Sequence, residues 1–358
     1  MRLLTGFPGF LGSALVERLL ERSAEPVVCL VQPRYRERAE RRAGEVTDAA
    51  GVPADRIRLV EGDITDPELA VDDYDRLRRE ARAVYHLAAV YDLGVARPLA
   101  ERANVDGTRH VLRFGLDADV DRFHYVSTCY VSGRYDGTFT HRDLDVGQSF
   151  HNHYEATKFD AERLVQAEMD AGFPATIYRP AIAVGDSETG ETQKFDGPYY
   201  LLKLLLRQRP VAFVPVPLRP AATRLNVVPR DFVVDAMAAL SAREDTAGEV
   251  YQLCDPHPPT ISDLVGTFAR AAGRPTVPVR GTTKLARIAT ERVPGLADGL
   301  GVEPAALPYL SQPTTYTDEN ARRALAGTDV RCPLFSSYAD RLVAYAREHI
   351  DEDAGAMV

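Results

Sequence analysis

Short apolar runs alternate with stretches of helical spacing through the first half of the chain. Met1-Arg2-Leu3-Leu4-Thr5 leads into glycines at positions 6, 9 and 12, and Ser13 to Ser23 then carries apolar residues at helical intervals, which reads as strand, tight turn and helix. Further strands are expected at Pro26–Val31, Ile57–Glu61, Ala83–Ala89 and Arg122–Thr128, and a helix opens at His151–Lys158 and runs on through Val165. This alternation predicts an α/β fold: a doubly wound parallel sheet with helices on both faces. Between Asp186 and Arg224 the pattern loosens into a long segment with a leucine cluster at 201–206, and helical spacing returns near Ile261–Ala272 and Tyr338–His349. The sheet is expected to return around Asn226 to Asp255, so two domains interdigitate: 1–185 with 225–255, and a smaller one of 186–224 with 256–358. Long insertions of this kind usually act as lids or substrate sites. The leucines at 201–206 read either as an apolar tunnel lining or as the buried face of a helix.

The glycine turn carries the first chemical expectation. Three glycines let the chain turn sharply, let a pyrophosphate approach the backbone, and let helix pack on strand. The phosphates then rest on the free N–H groups of the helix start, across Gly6, Phe7, Pro8, Gly9, Phe10, Leu11 and Gly12. By itself the pattern also suits an ordinary turn. Its place between a first strand and an amphipathic helix favours a dinucleotide.

A formal net charge of −9 and a pI near 5.5 argue against nucleic acid as the partner and for a small ligand. The four cysteines, Cys29, Cys129, Cys254 and Cys332, form no metal or disulfide pattern and read as reduced. With no leader and no apolar run of membrane-spanning length, the expectation is a cytoplasmic protein without a transmembrane segment. A homodimer is left open.

The second strand ends in Gln32-Pro33-Arg34-Tyr35-Arg36, with no carboxylate where the 2′,3′-diol of NAD needs one. Arg34 and Arg36 favour the 2′-phosphate of NADPH over NADH, the alternative being a solvated basic helix start. Gly62-Asp63-Ile64 places an Asp at the sheet edge for an adenine amino group, or as a turn cap. Small residues in Leu87-Ala88-Ala89 let the backbone lie against a ribose. Tyr154 and Lys158, four apart, share one helical face. A nearby cation favours the phenolate and brings the phenol toward the working pH, as general acid–base catalysis requires. His151 and His153 lack further ligands at metal spacing, so no metal is expected.

Taken together, T-G-x-x-G-x-x-G, Gly62-Asp63, His86-Leu-Ala-Ala89, Asn104 with Gly107-Thr108, Val126-Ser-Thr128 and Tyr154-x-x-x-Lys158 resemble the extended short-chain dehydrogenase/reductases, with their Rossmann nucleotide domain. The resemblance implies Thr128, Tyr154 and Lys158 as the catalytic residues, Thr128 being selected over Ser127 by its distance from Val131, and it implies Asn104 and Pro180-Ala181-Ile182 beside the cofactor. Tyr178-Arg-Pro, Gly185-Asp-Ser187 and Thr189-Gly190 resemble the thioester-reductase and fatty-acyl-reductase branch, in which the substrate is an acyl-CoA or a carrier-bound thioester. Gln32 departs from the arginine common there, which shifts the phosphate contact to Arg34 or Arg36. Three alternatives stay open: an aldehyde or ketone reductase, a nucleotide-sugar epimerase or dehydratase, and a non-catalytic NADP sensor.

Overall fold

The computed structural model describes residues 1–219, 222–281 and 304–350. In chain order the first half supplies β1 (Arg2–Thr5), α1 (Phe10–Arg22), β2 (Val27–Val31), α2 (Arg36–Ala49), β3 (Ile57–Glu61), α3 (Tyr74–Glu80) and β4 (Ala83–His86). A bent helical stretch follows, α4 (Arg97–Ala100) joined through a π-turn at Glu101–Asp106 to α5 (Gly107–Asp117), and then β5 (Arg122–Val126), β6 (Thr138–Phe139) and α6 (His153–Asp170). The second half adds β7 (Ala175–Pro180), β8 (Ile182–Val184), α7 (Pro198–Arg207), β9 (Ala212–Pro217), β10 (Val227–Pro229), α8 (Arg230–Ser241), β11 (Val250–Leu253), α9 (Ile261–Ala272) and β12 (Thr276–Gly281).

Seven of these strands form one parallel sheet in the order β11-β7-β5-β4-β1-β2-β3. Parallel pairing buries both faces, which is why Val27–Val31 is apolar at every position rather than alternating. On one face α1 packs Leu15, Val16, Leu19 and Leu20 against Val27, Cys29 and Val31. On the other, α5 and α6 bring Val111, Phe114, Ala161 and Val165 onto Leu3, Val84, Phe123 and Ile177. The strand order reverses between β1 and β4, so the loops leaving their carboxyl ends diverge and open a crevice where doubly wound sheets take ligands.

Three expectations change. Helix α1 begins at Phe10 rather than Ser13, directly against the glycines. Strand β4 stops at His86, which leaves Leu87–Ala89 as loop. The sheet does return through β11, but β10 pairs with β8 in a separate two-stranded ribbon.

A second apolar cluster joins α7, β9, α9 and the helix Phe335–His349 through Leu202, Leu205, Val214, Leu264, Phe268 and Leu342. The leucine run carries both of its readings: Leu202 and Leu205 are 0% exposed in this core, Leu204 belongs to the core and also lines the cavity described below, and Leu201 lines the cavity while packing against the core. A step of one residue turns a helix by about 100°, so neighbours on α7 face different environments. The four cysteines are unpaired.

Candidate active site

The first wall of the crevice is the turn after β1. Gly6 has φ +96°, and a Cβ there would lie 2.9 Å from the Ala88 nitrogen and the Leu87 carbonyl carbon. A Cβ on Gly12 would collide with the Gly6 carbonyl. Glycine is thus required twice, once for the conformation and once for the approach of α1 to the turn. Gly9 donates to the Gly6 carbonyl at 2.9 Å and caps α1 with no side-chain oxygen, so the first-turn N–H groups face the crevice without a capping side chain. This cradle fits a pyrophosphate, since the turn offers backbone N–H groups at the helix start with no capping side chain over them.

At the end of β2, Gln32 donates to Asp63 Oδ2 at 2.7 Å and accepts from Arg34 Nε at 2.9 Å. Gln32, Arg34, Asp63 and Ile64 all line the crevice. Arg36 does not: its guanidinium is held by Glu40 at 2.7 Å, with Glu61 3.8 Å away. Arg38 takes its place in the wall, two residues on and so about 200° round the helix. Nothing in the sequence separates the two arginines, because which one faces inward depends on the rotation of α2 against β3.

Leu87, Ala88 and Ala89 line the crevice from the β4 side, whereas Asn104 and Pro8 do not reach it. Asn104 sits in the π-turn, 1% exposed, and acts from behind. It accepts from the Val90 amide at 2.8 Å and donates to the Val90 carbonyl at 3.2 Å and to Thr157 Oγ1 at 3.0 Å. It thereby ties the loop after β4 to α6.

That helix carries Tyr154 and Lys158. Asn152 caps it by accepting from the Glu155 amide at 3.0 Å, which starts the helix one residue before Tyr154. Tyr154 then projects into the cavity, edge-on to Tyr91 with centroids 4.9 Å apart. Thr128, just past β5, donates to the Pro180 carbonyl at 3.4 Å and accepts from the Tyr130 amide at 3.2 Å. Lys158 donates to the Tyr125 hydroxyl at 2.9 Å and to the Val126 carbonyl at 2.7 Å. Pro180, Ala181 and Ile182 close the same wall.

Burial pushes the Tyr154 phenol above its ordinary value, and a hydrogen bond with Thr128 works the other way without overcoming it. Burial also lowers Lys158 to about 7, against a smaller opposing effect of Glu162. The expectation that the lysine draws the phenol down is therefore not met: the ammonium is itself desolvated and turned toward β5. Tyr154 stays protonated through neutral pH, which suits a donor of a proton.

Several lining residues had no sequence signal. Lys194 donates to the Tyr91 carbonyl at 2.7 Å and lies 3.8 Å from Asp196, whose carboxyl burial pushes up. Tyr309 donates to Glu155 at 2.5 Å and accepts from Asn152 at 2.8 Å, fastening a distant segment to the start of α6. These contacts join positions up to 157 residues apart, so no local pattern announces them. His151, weighed above as a metal ligand, instead hydrogen-bonds Glu155 at 3.0 Å. Beneath the site, Arg179 and Glu162 form a fully buried pair at 2.6 Å, and Ser127 donates to the same carboxylate at 2.5 Å.

One cavity of about 940 Å³ joins the glycine cradle to Thr128, Tyr154 and Lys158 and continues into an apolar arm past Leu201 and Leu204. A parallel sheet with this turn at its switch point, and a Tyr/Lys helix facing it, defines an NAD(P)-dependent oxidoreductase of the extended short-chain dehydrogenase/reductase class. The male sterility protein family matches residues 4–237, and the chain belongs to it. One of the subunits of the linear gramicidin synthase of Brevibacillus parabrevis is 28% identical over 280 residues, 74% of this chain but 5% of that protein. The chain thus spans a small part of that synthase's length. The low-salt glycan biosynthesis protein Agl12 of Haloferax volcanii is 34% identical over 260 residues, covering 70% of this chain and 76% of Agl12. Among solved structures, the terminal R domain from the myxalamid PKS-NRPS biosynthetic pathway superposes with a TM-score of 0.84 at 27% identity, covering 99% of this chain and 92% of that domain. Among the described residues no helix is long and apolar enough to cross a membrane.

Proposed function

We propose that the chain reduces an acyl thioester, carrier-bound or as a coenzyme A ester, with NADPH, releasing aldehyde or alcohol. The observation that carries this is the single cavity in which the Tyr154 phenol lies between the nucleotide cradle and an apolar arm lined by Leu201, Leu204 and Leu264. A polar small substrate has no use for such an arm, while each methylene buried there contributes about 0.8 kcal/mol. The likeness to the myxalamid R domain supports the same reading. Residues 186–224 and 256–358 are read as the substrate lobe and the remainder as the nucleotide lobe.

When bound, the nicotinamide supplies a hydride. Thr128 and Tyr154 hold the substrate carbonyl oxygen, and Tyr154 gives it a proton. Lys158 anchors the ribose. The resulting hemithioacetal loses thiol to leave the aldehyde. Gly6 to Gly12 hold the pyrophosphate, and Arg34 with Arg38 hold the 2′-phosphate.

The direct test measures NADPH consumption with acyl thioesters, aldehydes, ketones and nucleotide sugars side by side. Efficient reduction of simple carbonyls with no product from any thioester replaces this reading by that of a carbonyl reductase. The 34% identity to Agl12 favours sugar chemistry as the second reading, and turnover of a nucleotide sugar without net NADPH loss selects it.

Two substitutions test the parts separately. Leu201→Asp is expected to raise KM for long acyl chains far more than for short ones, with a smaller loss of Tm than at a fully buried leucine because Leu201 only packs against the core. Leu202→Asp, in the core, is expected to lower Tm by burying an unpaired charge and to affect every substrate alike. Equal behaviour of the two variants rules out the apolar arm as the acyl site. For the cofactor, Arg34→Ala with Arg38→Ala is expected to erode a preference for NADPH over NADH of tenfold or more, since a charge-assisted phosphate contact contributes roughly 1.5–3 kcal/mol. Calorimetry showing equal affinities in the unaltered protein reverses the assignment.

A further inference from the structure

Lys158 is 3% exposed and Tyr125 1% exposed, and the two meet on the buried side of the site. An ammonium carries three donors and no acceptor. Two donors of Lys158 are engaged on β5, by the Tyr125 hydroxyl at 2.9 Å and the Val126 carbonyl at 2.7 Å, and the nitrogen stands 4.4 Å from the centroid of the Tyr125 ring. The third finds no acceptor among the described residues, while the side chain borders the cavity. Tetrahedral geometry then directs that third proton away from β5.

We propose that Tyr125 is a positioning residue for Lys158: its hydroxyl and the Val126 carbonyl fix two ammonium protons and aim the third at the cofactor's ribose. The proposal rests on the reductase reading above, in which Lys158 anchors that ribose. Tyr125 is in turn fixed from behind. Its ring lies beside that of His86, with centroids 5.6 Å apart, while His86 Nε2 lies 3.0 Å from Thr108 Oγ1 on α5 and His86 Nδ1 lies 2.8 Å from Thr5 Oγ1. A buried polar chain therefore runs behind the Tyr125 ring, from Thr108 through His86 to the last residue before the glycine turn.

The surrounding charges leave this hydrogen bond decisive. On α6, Glu162 favours the ammonium, but Arg179 from β7 neutralises that carboxylate, and Tyr154 is uncharged at neutral pH. On β4, burial holds His86 at about 3, so it adds no positive charge near neutrality. Burial lowers Lys158 to about 7, where loss of one acceptor changes its charge at the working pH. Tyr125→Phe keeps the ring and removes that acceptor. The ammonium loses more than the neutral amine does, so the titration midpoint falls, by about one pH unit.

The chain has four lysines, Lys158, Lys194, Lys203 and Lys284, so the Lys158 signal in lysine-labelled protein can be assigned through Lys158→Met and titrated by NMR. Tyr125→Phe is expected to lower that midpoint by about one pH unit, and to move the alkaline limb of the kcat profile down with it while substrate KM changes little. Tyr178→Phe is the control. It removes another buried hydroxyl, bonded to His124 at 3.2 Å on the neighbouring strand, and is expected to move neither. An unchanged midpoint in Tyr125→Phe, or an equal shift in Tyr178→Phe, overturns the proposal. If Tyr125→Phe does not fold, the unaltered protein decides: Lys158 ε-methylene protons shifted by the Tyr125 ring support the contact, and unshifted ones overturn it. Because the titration needs no turnover, an inactive protein with a shifted midpoint refutes the reductase reading alone, and an active one without a shift refutes this one.

Discussion

Tyr154→Phe is expected to lower turnover by a factor of about 100 to 10,000, the range over which a positioned general acid acts. The substitution removes one oxygen and keeps the ring, so the edge-on contact with Tyr91 at 4.9 Å survives. The helix start also survives, since Asn152 and Glu155 make the cap without Tyr154. Thermal stability and cofactor affinity should therefore stay close to those of the unaltered protein, which separates a chemical loss from a folding one. The pH dependence sharpens this. With its phenol raised by burial, Tyr154 remains a donor throughout the neutral range, so the limb near pH 7 belongs to Lys158. Turnover retained in the Phe variant with the substrate that the unaltered enzyme accepts assigns the proton to another group.

Removing Arg179 is expected to produce the largest loss of stability, about 3–5 kcal/mol, because it leaves a carboxylate uncompensated in the interior. Glu162 and Arg179 are both 0% exposed and meet at 2.6 Å, and Ser127 donates to the same carboxylate. Arg179 also reaches the Thr140 carbonyl at 3.2 Å. The attraction between the two charges offsets their shared desolvation, so losing one partner costs far more than the pair contributes. Arg179→Ala should lower the urea midpoint sharply, and the double variant Arg179→Met with Glu162→Met should recover most of it. A loss below about 1 kcal/mol for Arg179→Ala would mean that water or a shifted backbone solvates Glu162. Since Pro180 follows Arg179 directly and lines the cavity, the same variant should also lower activity in the molecules that stay folded.

Much of this molecule is legible along the chain for reasons of local physics. Glycines at 6 and 12 have no substitute where a Cβ meets backbone, so the turn and the ligand class it cradles follow from short-range sterics. Tyr154 and Lys158 share a helix face because of a four-residue spacing alone. Fully apolar β2 implies cover on both faces, and hence a parallel sheet with helices on each. What local pattern could not decide was rotation, reach and desolvation. The turn of α2 against β3 makes Arg38 rather than Arg36 face the crevice, although the two are chemically equal. The turn of α7 against α9 gives Leu201 to the cavity and Leu202 to the core. Asn104 carries the residue type of a ligand contact yet works behind the wall, because the π-turn points it at Val90 and Thr157. Charge states depend on the same packing: sequence spacing placed a cation beside the Tyr154 phenol, but only the folded interior desolvates both groups and turns the ammonium to Tyr125. The sequence by itself thus determined the glycine turn and the shared helix face of Tyr154 and Lys158, since backbone sterics and periodicity act over a few residues; the tertiary structure decided which side chains reach the crevice, which way they face and how they are charged, since those depend on neighbours brought together from tens of residues apart.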